Sequence, residues 1–335
     1  MKEKRLLGKV VVVTGASAGL GRSIAREFGK YGAKVALLAR GEDGLEGARQ
    51  EVEALGGEAL AIATDVGDAK QVEQAAARVE DQWGPIDIWI NNAMNSVFSP
   101  LKEVTPDEFK RVTEVTYLGQ VYGTMAALQR MLPRDHGTII MVGSALAYRG
   151  IPLQSAYCGA KHGIQGFFES ARTELLHDKS NVHLGMVQLP AMNTTQFGLV
   201  KSRLPKKPRP MGTIYQPEVA AKAVAYAALH RKREVYVGYP TWQTIFGNKV
   251  IPGWLDHYLA RTGYQGQQTD QPENPDRPHN LWEPVAGDHG AHGSLEAQAW
   301  DFSPQFWGAT HKWLTLAGVT AVAVGIGAAL ARRAD

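Results

Sequence analysis

Val10-Val11-Val12-Val13-Thr14-Gly15-Ala16-Ser17-Ala18-Gly19-Leu20-Gly21 is the stretch that decides the fold. Its β-branched run reads as a buried strand. It passes without a spacer into a glycine-rich turn, then into a helical pattern carrying Ile24, Ala25 and Phe28. Strand, glycine turn and helix in that order are what a dinucleotide site requires. Gly15 allows the tight turn, Gly19 lets the backbone approach a pyrophosphate, and Gly21 lets the helix pack close to the strand. The helix N-terminus offers amide N–H groups to the anion. Ser17 and Leu20 lie in the same turn and join the glycines as cofactor-binding candidates.

Outward from this turn the pattern repeats. A second strand, Ala33–Arg40, ends in Ala39-Arg40, where a site for NAD usually places a carboxylate on the ribose hydroxyls. Arg40 offers instead a planar cation suited to a 2′-phosphate, so NADP is expected, with NADPH preferred over NADH. Helical patterns near 44–55 and 69–82 alternate with strands near 59–63 and 86–90, and further strands fall at 138–142 and 234–237. Such alternation implies an α/β fold, a Rossmann-type doubly wound parallel sheet. Ligands bind beyond the carboxyl ends of such strands, where Gly15, Arg40, Asp65, Asn91 and Ser144 all fall.

The chemistry is expected between Ser144 and Lys161. Tyr157 and Lys161 stand four apart on a helical pattern and share one face. A free phenol has a pKa of about 10, and bringing it to about 7 takes roughly 4 kcal/mol of phenolate stabilisation. A nearby cation is the means at hand. Ser144, at the end of the preceding strand, can hydrogen-bond a carbonyl or alcohol oxygen beside the phenol. Together the three make a site for moving a proton on and off a ketone or secondary alcohol.

With both halves in view, the chain resembles the classical short-chain dehydrogenase/reductase family. The residues that carry the resemblance are Thr14-Gly15-x-x-x-Gly19-x-Gly21, Asp65-Val66, Asn91-Asn92-Ala93, Ser144 and Tyr157-x-x-x-Lys161, in order over about residues 6–240. It implies NAD(P)-dependent hydride transfer with Tyr157 as general acid/base and Ser144 orienting the substrate oxygen. It implies that Lys161 holds the nicotinamide ribose and tunes the phenol. It further implies that Asp65 and Val66 flank the adenine and that Asn91 and Ala93 line the cofactor channel. Thr195 matches a residue that contacts the cofactor, with Thr194 the weaker candidate. Thr116 stands where the family has an Asn that helps a helix kink hold a relay water, so a weakened or rerouted relay through Thr116 is expected. Met94 replaces a usual Gly. A rival reading, a dinucleotide-binding sensor or scaffold at a membrane that has lost its chemistry, rests on Thr116.

The remaining chain divides by composition. The catalytic domain is expected over 1–245, a packed helical extension over 246–265, and a linker, extended or disordered, over 266–310, rich in Pro, Gly and polar residues. Residues 196–217 form a long connection rich in Pro and cations; the resemblance implies a lid over the substrate, and the cations themselves read as a solvated loop. Residues 313–331 carry no charge, follow a cluster of Trp and Phe, and sit between His311-Lys312 and Arg332-Arg333. That length and flanking suggest a single apolar helix, a C-terminal membrane anchor within 311–335. The catalytic domain would then face the cytoplasm, although Arg332-Arg333 argues the other way. A soluble cytoplasmic enzyme whose last helix docks on a partner is the alternative. A hydrophobic substrate accords with the anchor, and a homo-oligomer is expected.

Composition excludes other classes. The 335 residues carry a net charge of +3 with interspersed signs, so no nucleic-acid partner is indicated. Cys158 is the only cysteine, which rules out an intramolecular disulfide. His289 and His292, three apart without further ligands, do not make a metal site, and none is expected.

Overall fold

The computed structural model describes residues 6–311 and Thr315. Seven strands form one parallel sheet: β1 (Val10–Thr14), β2 (Lys34–Ala39), β3 (Glu58–Ala63), β4 (Ile88–Asn91), β5 (Thr138–Val142), β6 (His183–Gln188) and β7 (Glu234–Tyr236). Their spatial order is β7-β6-β5-β4-β1-β2-β3. The order reverses direction between β1 and β4, and that switch point opens a crevice at the strands' carboxyl ends. Register at the centre pairs Val12 with Ala36 on one side and Trp89 on the other. β1, β4 and β5 are buried along their whole length, which is why they read as continuous apolar runs.

Helices cover both faces. On one side α1 (Gly19–Lys30) and α2 (Glu42–Ala54) close over Val11, Val13, Val35 and Leu37, with Phe28 fully buried between. On the other, α3 (Ala69–Trp83) packs over Val10, Val12, Leu38 and Trp89. α4 (Pro106–Thr113) runs through a π-helical turn at Glu114–Leu118 into α5 (Gly119–Met131), and α6 (Ser155–His177) follows the active-site strand. α7 (Pro217–Leu229) returns to the first face, placing Val219 and Ala223 in its core.

α8 (Tyr239–Val250) and α9 (Pro252–Gly266) form a helical hairpin, so the helical extension expected from Phe246 onward begins seven residues earlier. Arg149 clamps the hairpin to the turn after β5, donating to Asn248 Oδ1 at 3.2 Å, Pro252 O at 3.4 Å and Asp256 Oδ1 at 2.5 Å.

Two stretches differ from expectation. The cationic loop 196–217 is pinned rather than solvated. Lys201 and Arg203 pair with the buried carboxylate of Glu108, each at 2.7 Å, and Glu108 also completes a capping box with Thr105 at the start of α4. Burial alone would raise the Glu108 pKa, but the hydrogen bonds from Arg203 and Lys201 outweigh it and bring it down to about 2.

The second is 266–310, expected as an extended or disordered linker. Residues 268–272 pair antiparallel with 206–208, and Leu281 is fully buried against Val97, Val112 and Ala156. Pro304–Thr310 is helical, α10. Few aliphatics made this stretch look unable to fold, but its backbone groups find partners on the main domain instead. Apart from Thr315, the expected apolar span 313–331 lies outside the described residues. Among the described residues no helix is long and apolar enough to cross a membrane.

Candidate active site

A cavity of about 750 Å³ runs along the carboxyl ends of β1, β2, β4, β5 and β6. One end holds the glycine turn. Gly15 has φ +68°, and a Cβ there would lie 2.8 Å from Ala93 Cα. A Cβ on Gly21 would meet the Gly15 carbonyl oxygen at 2.0 Å. Only glycine therefore lets α1 start this close to β1 and β4. The N-cap residue of α1, Ala18, supplies no side-chain hydrogen bond, so no side chain of that residue competes for the first-turn N–H groups. Asn92 braces the turn from behind, its Nδ2 donating to Thr14 O at 2.9 Å.

Gly15, Ser17, Gly19, Leu20, Gly21, Arg40, Asp65, Val66, Ala93, Ser144, Tyr157, Lys161 and Thr195 all line this one cavity. Thr194 lines it too, and a Cβ on Gly19 would sit 3.3 Å from Thr194 Cβ and 3.5 Å from Thr195 Oγ1. Both threonines thus approach the glycine turn. Met94 is also on the wall.

Two expected residues are elsewhere. Asn91 is fully buried, accepting from Trp89 Nε1 at 2.8 Å and donating to Thr124 Oγ1 at 2.9 Å. It shares the face of Trp89 because strand side chains alternate, and that face looks into the helical layer rather than the channel. Asn92 and Ala93 reach the cavity in its place. Thr116 is also fully buried, and its hydroxyl accepts from Asn95 N at 3.0 Å and donates to Asn95 O at 2.8 Å. It ties the π-helical turn to the loop after β4, so its one proton is committed to a backbone carbonyl and not to a relay.

The chemical end is built on β5 and α6. Ser144 caps a short 3₁₀ turn, its Oγ accepting from Leu146 N at 3.1 Å, which leaves the hydroxyl proton to donate. The Ser144 hydroxyl lies beside the Tyr157 phenol and favours its ionised form. Lys161, 2 % exposed, lies one helical turn on with Nζ 5.7 Å from the Tyr157 ring centroid. Its ammonium donates to Val142 O at 2.7 Å.

The expectation that Lys161 makes the phenol acidic meets a correction here. Burial pushes the Tyr157 pKa up, and the Ser144 hydroxyl only partly opposes it. Burial also pushes Lys161 down to about 7. Desolvation penalises both charges and favours a neutral phenol beside an amine that titrates near neutrality. Cys158 is likewise raised to about 11 by burial, which keeps its thiol protonated.

Sequence reasoning missed two polar groups. Gln120, four residues after Thr116 and buried, donates from Nε2 to the same Val142 carbonyl at 3.1 Å that accepts from Lys161. Gln154 lines the cavity and donates to the fully buried Gln267 at 2.7 Å, tying α9 to the site. The spacing of Thr116 and Gln120 was a usable signal; nothing linked Gln154 to a residue so far along the chain.

A parallel sheet with a glycine turn at its switch point and a Ser, Tyr and Lys group on the adjoining strand and helix defines a dinucleotide-dependent oxidoreductase. The family profile described as short chain dehydrogenase matches residues 9–203, and the chain belongs to that family. It is 33 % identical over 291 residues to the uncharacterized oxidoreductase YxnA of Bacillus subtilis (strain 168), covering 86 % of this chain and 82 % of that one. It is 34 % identical over 236 residues to the 3-dehydrosphinganine reductase of Danio rerio, covering 68 % and 70 %. A crystal structure of a metagenomic short-chain oxidoreductase in complex with NADP superposes with a TM-score of 0.59 at 28 % identity, over 70 % of this chain and 96 % of the other. The protein is an NAD(P)-dependent dehydrogenase/reductase.

Proposed function

We propose that the protein is an NADP(H)-dependent reductase of a hydrophobic ketone, or the dehydrogenase of the matching secondary alcohol, working at a membrane surface. The observation that carries it is Tyr157, on the wall of the cavity with Ser144 beside it and Lys161 one turn away. The residues fit the cofactor: the turn has room only for glycine, and Arg40 stands at the end of β2 where NAD sites carry a carboxylate. When bound, the nicotinamide supplies the hydride to the carbonyl carbon. Tyr157 gives its proton to the carbonyl oxygen, and Ser144 donates a hydrogen bond to that oxygen as charge builds on it. The phenolate left behind is stabilised by Lys161 in its protonated form. A phenol kept neutral by burial suits the reducing direction.

The substrate class follows from the other end of the cavity. Pro240, Thr244, Leu255, Tyr258 and Leu259 of the hairpin form its wall. The hairpin's outward ridge is aromatic and exposed: Trp242 is 50 %, Phe246 55 % and Trp254 60 % accessible, with Tyr239, Val250 and Ile251 beside them. Trp and Tyr around such a mouth suit a lipid interface, and the ridge would rest there. Substrate would then pass between bilayer and cavity along apolar surface.

Purified protein is incubated with a panel of short and long-chain ketones, with NADPH and then NADH, following cofactor absorbance. Oxidation of NADPH, faster with the long-chain ketones, is expected. No oxidation of either cofactor by any ketone would overturn the reading.

A further inference from the structure

The stretch 279–293 lies beyond the family's matched region, 9–203, yet it crosses the adenosine end of the cavity. Asn280, Pro284, Val285, Gly287 and His289 line that end opposite Arg40, Gly44 and Thr64. The contacts that hold it there are polar and fall on cofactor-site elements. Gly290 O accepts from Gly19 N at 2.9 Å, and Gly287 N donates to Asp43 Oδ2 at 2.9 Å. Asp288 makes a two-armed ion pair with Arg22 of α1, one arm at 3.0 Å. Leu281 is the apolar plug, and its carbonyl accepts from Arg111 Nε at 3.2 Å and Asn95 Nδ2 at 3.3 Å.

Arg40 is the residue most altered. Its Nη1 donates to Trp282 O and its Nη2 to Asn280 O, both at 2.5 Å. A guanidinium has five N–H donors in a rigid fork, and two carbonyls on its terminal nitrogens fix its plane. Among the described residues the other three donors have no protein acceptor, and Arg40 faces the cavity. Arg111, held by the same strap and paired with Asp65, lies near enough to repel Arg40, while Asp65 attracts it.

We infer that this strap is a specificity-determining part of the cofactor site: it orients Arg40 for a 2′-phosphate and holds the adenosine end closed. This rests on the dinucleotide reading of the site and deepens it. Without the strap Arg40 is a long side chain at a strand end, and fixing it falls to the ligand. A phosphate loses most from that change, because it takes charge-assisted, directional N–H bonds that a ribose hydroxyl does not. Release of bound cofactor requires the Arg22–Asp288 and Gly19–Gly290 contacts to part.

A reversible covalent latch tests it. A Cβ built at Gly47 falls 2.9 Å from Asp288 Cγ, so the double variant G47C/D288C can form a disulfide that pins the strap to α2. Cys158 is buried and does not interfere. Dissociation constants for NADPH and NADH are measured by cofactor fluorescence in wild type, oxidised and reduced double variant, and Leu281→Ala; NADPH release is timed by stopped flow. Oxidised protein is expected to keep the wild-type preference. Reduction, which leaves the strap with neither disulfide nor Arg22 pair, should weaken NADPH about tenfold and NADH less than about threefold, and speed NADPH release. Leu281→Ala should shift the same way. An unchanged NADPH/NADH ratio across oxidised, reduced and Leu281→Ala proteins overturns the inference while the dinucleotide reading stands. Wild type that binds neither cofactor overturns both.

Discussion

The two ends of the cavity are built by opposite means. At the adenosine end, arginines and backbone amides meet carbonyls and carboxylates: Arg40 with Asn280 and Trp282, Arg22 with Asp288, Gly19 with Gly290. At the substrate end, an aromatic hairpin stands exposed, its rings stacked on one another, with Trp242–Phe246 and Trp254–Tyr258 centroids each 5.3 Å apart. The first arrangement suits a charged ligand held by direction. The second offers apolar area without direction, which suits substrates that share greasiness rather than a functional group. Between them sits Tyr157, where neither charge nor apolar surface dominates and burial sets the protonation state.

The largest effect is expected at this midpoint. Tyr157→Phe should lower ketone reduction by about 10²–10⁴-fold while NADPH still binds, and Ser144→Ala by about 10²-fold. Single-turnover kinetics beside a binding titration separates the two quantities; loss of NADPH binding in Tyr157→Phe would mean the phenol acts on the cofactor end instead.

Lys161 gives a second test with opposite signs for activity and stability. Its folded pKa, about 7, lies below the ordinary lysine value of 10.5, so the unfolded chain binds the extra proton between those values. The burial penalty is therefore full below about pH 7 and fades as pH rises toward 10.5. Lys161→Met should raise the thermal midpoint at pH 6, and Val142 O keeps its bond from Gln120. The same variant should abolish turnover, and wild-type ketone reduction should fall as pH rises through about 7, as Lys161 loses its charge. A lower midpoint for the variant at pH 6 would contradict this.

Smaller effects probe the apolar end and the loop beside it. Trp242→Ser with Trp254→Ser should weaken sedimentation with phospholipid vesicles several-fold and raise KM for long-chain ketones, leaving short-chain ketones unaffected. Equal KM changes for both chain lengths would place the ridge outside the substrate route. Glu108 has a folded pKa near 2 against 4.5, so its pairs with Lys201 and Arg203 contribute stability above 4.5 that is lost as pH falls toward 2. Glu108→Gln should flatten that part of the curve of thermal midpoint against pH.

Most of the sheet could be read from the chain. β1 and β5 are short apolar runs bounded by turn residues, and the glycine turn carries its own geometric reason. Ser144, Tyr157 and Lys161 were legible because strand end and helix face follow from pattern alone. Asn91 was misplaced although Trp89, two residues earlier, indicated which face both would take. The protonation of Lys161 was not legible, because it depends on burial by parts of the chain distant in sequence. Least visible was the strap: buried Leu281 and Ala291 carry its apolar contribution, and the rest is carbonyls answered by Arg40 and a carboxylate answered by Arg22, both more than 200 residues earlier. Composition reads such a segment as linker because it scores side chains.

The central claim is that hydride reaches a ketone carbon in this cavity while Tyr157 protonates the oxygen. Reduction of a long-chain ketone with NADPH deuterated at both C4 positions, run in ordinary water, tests it in a single mass spectrum. The account predicts an alcohol with one deuterium on the carbinol carbon, formed by wild type and not by Tyr157→Phe. An unlabelled alcohol, or equal labelled product from both proteins, would contradict it.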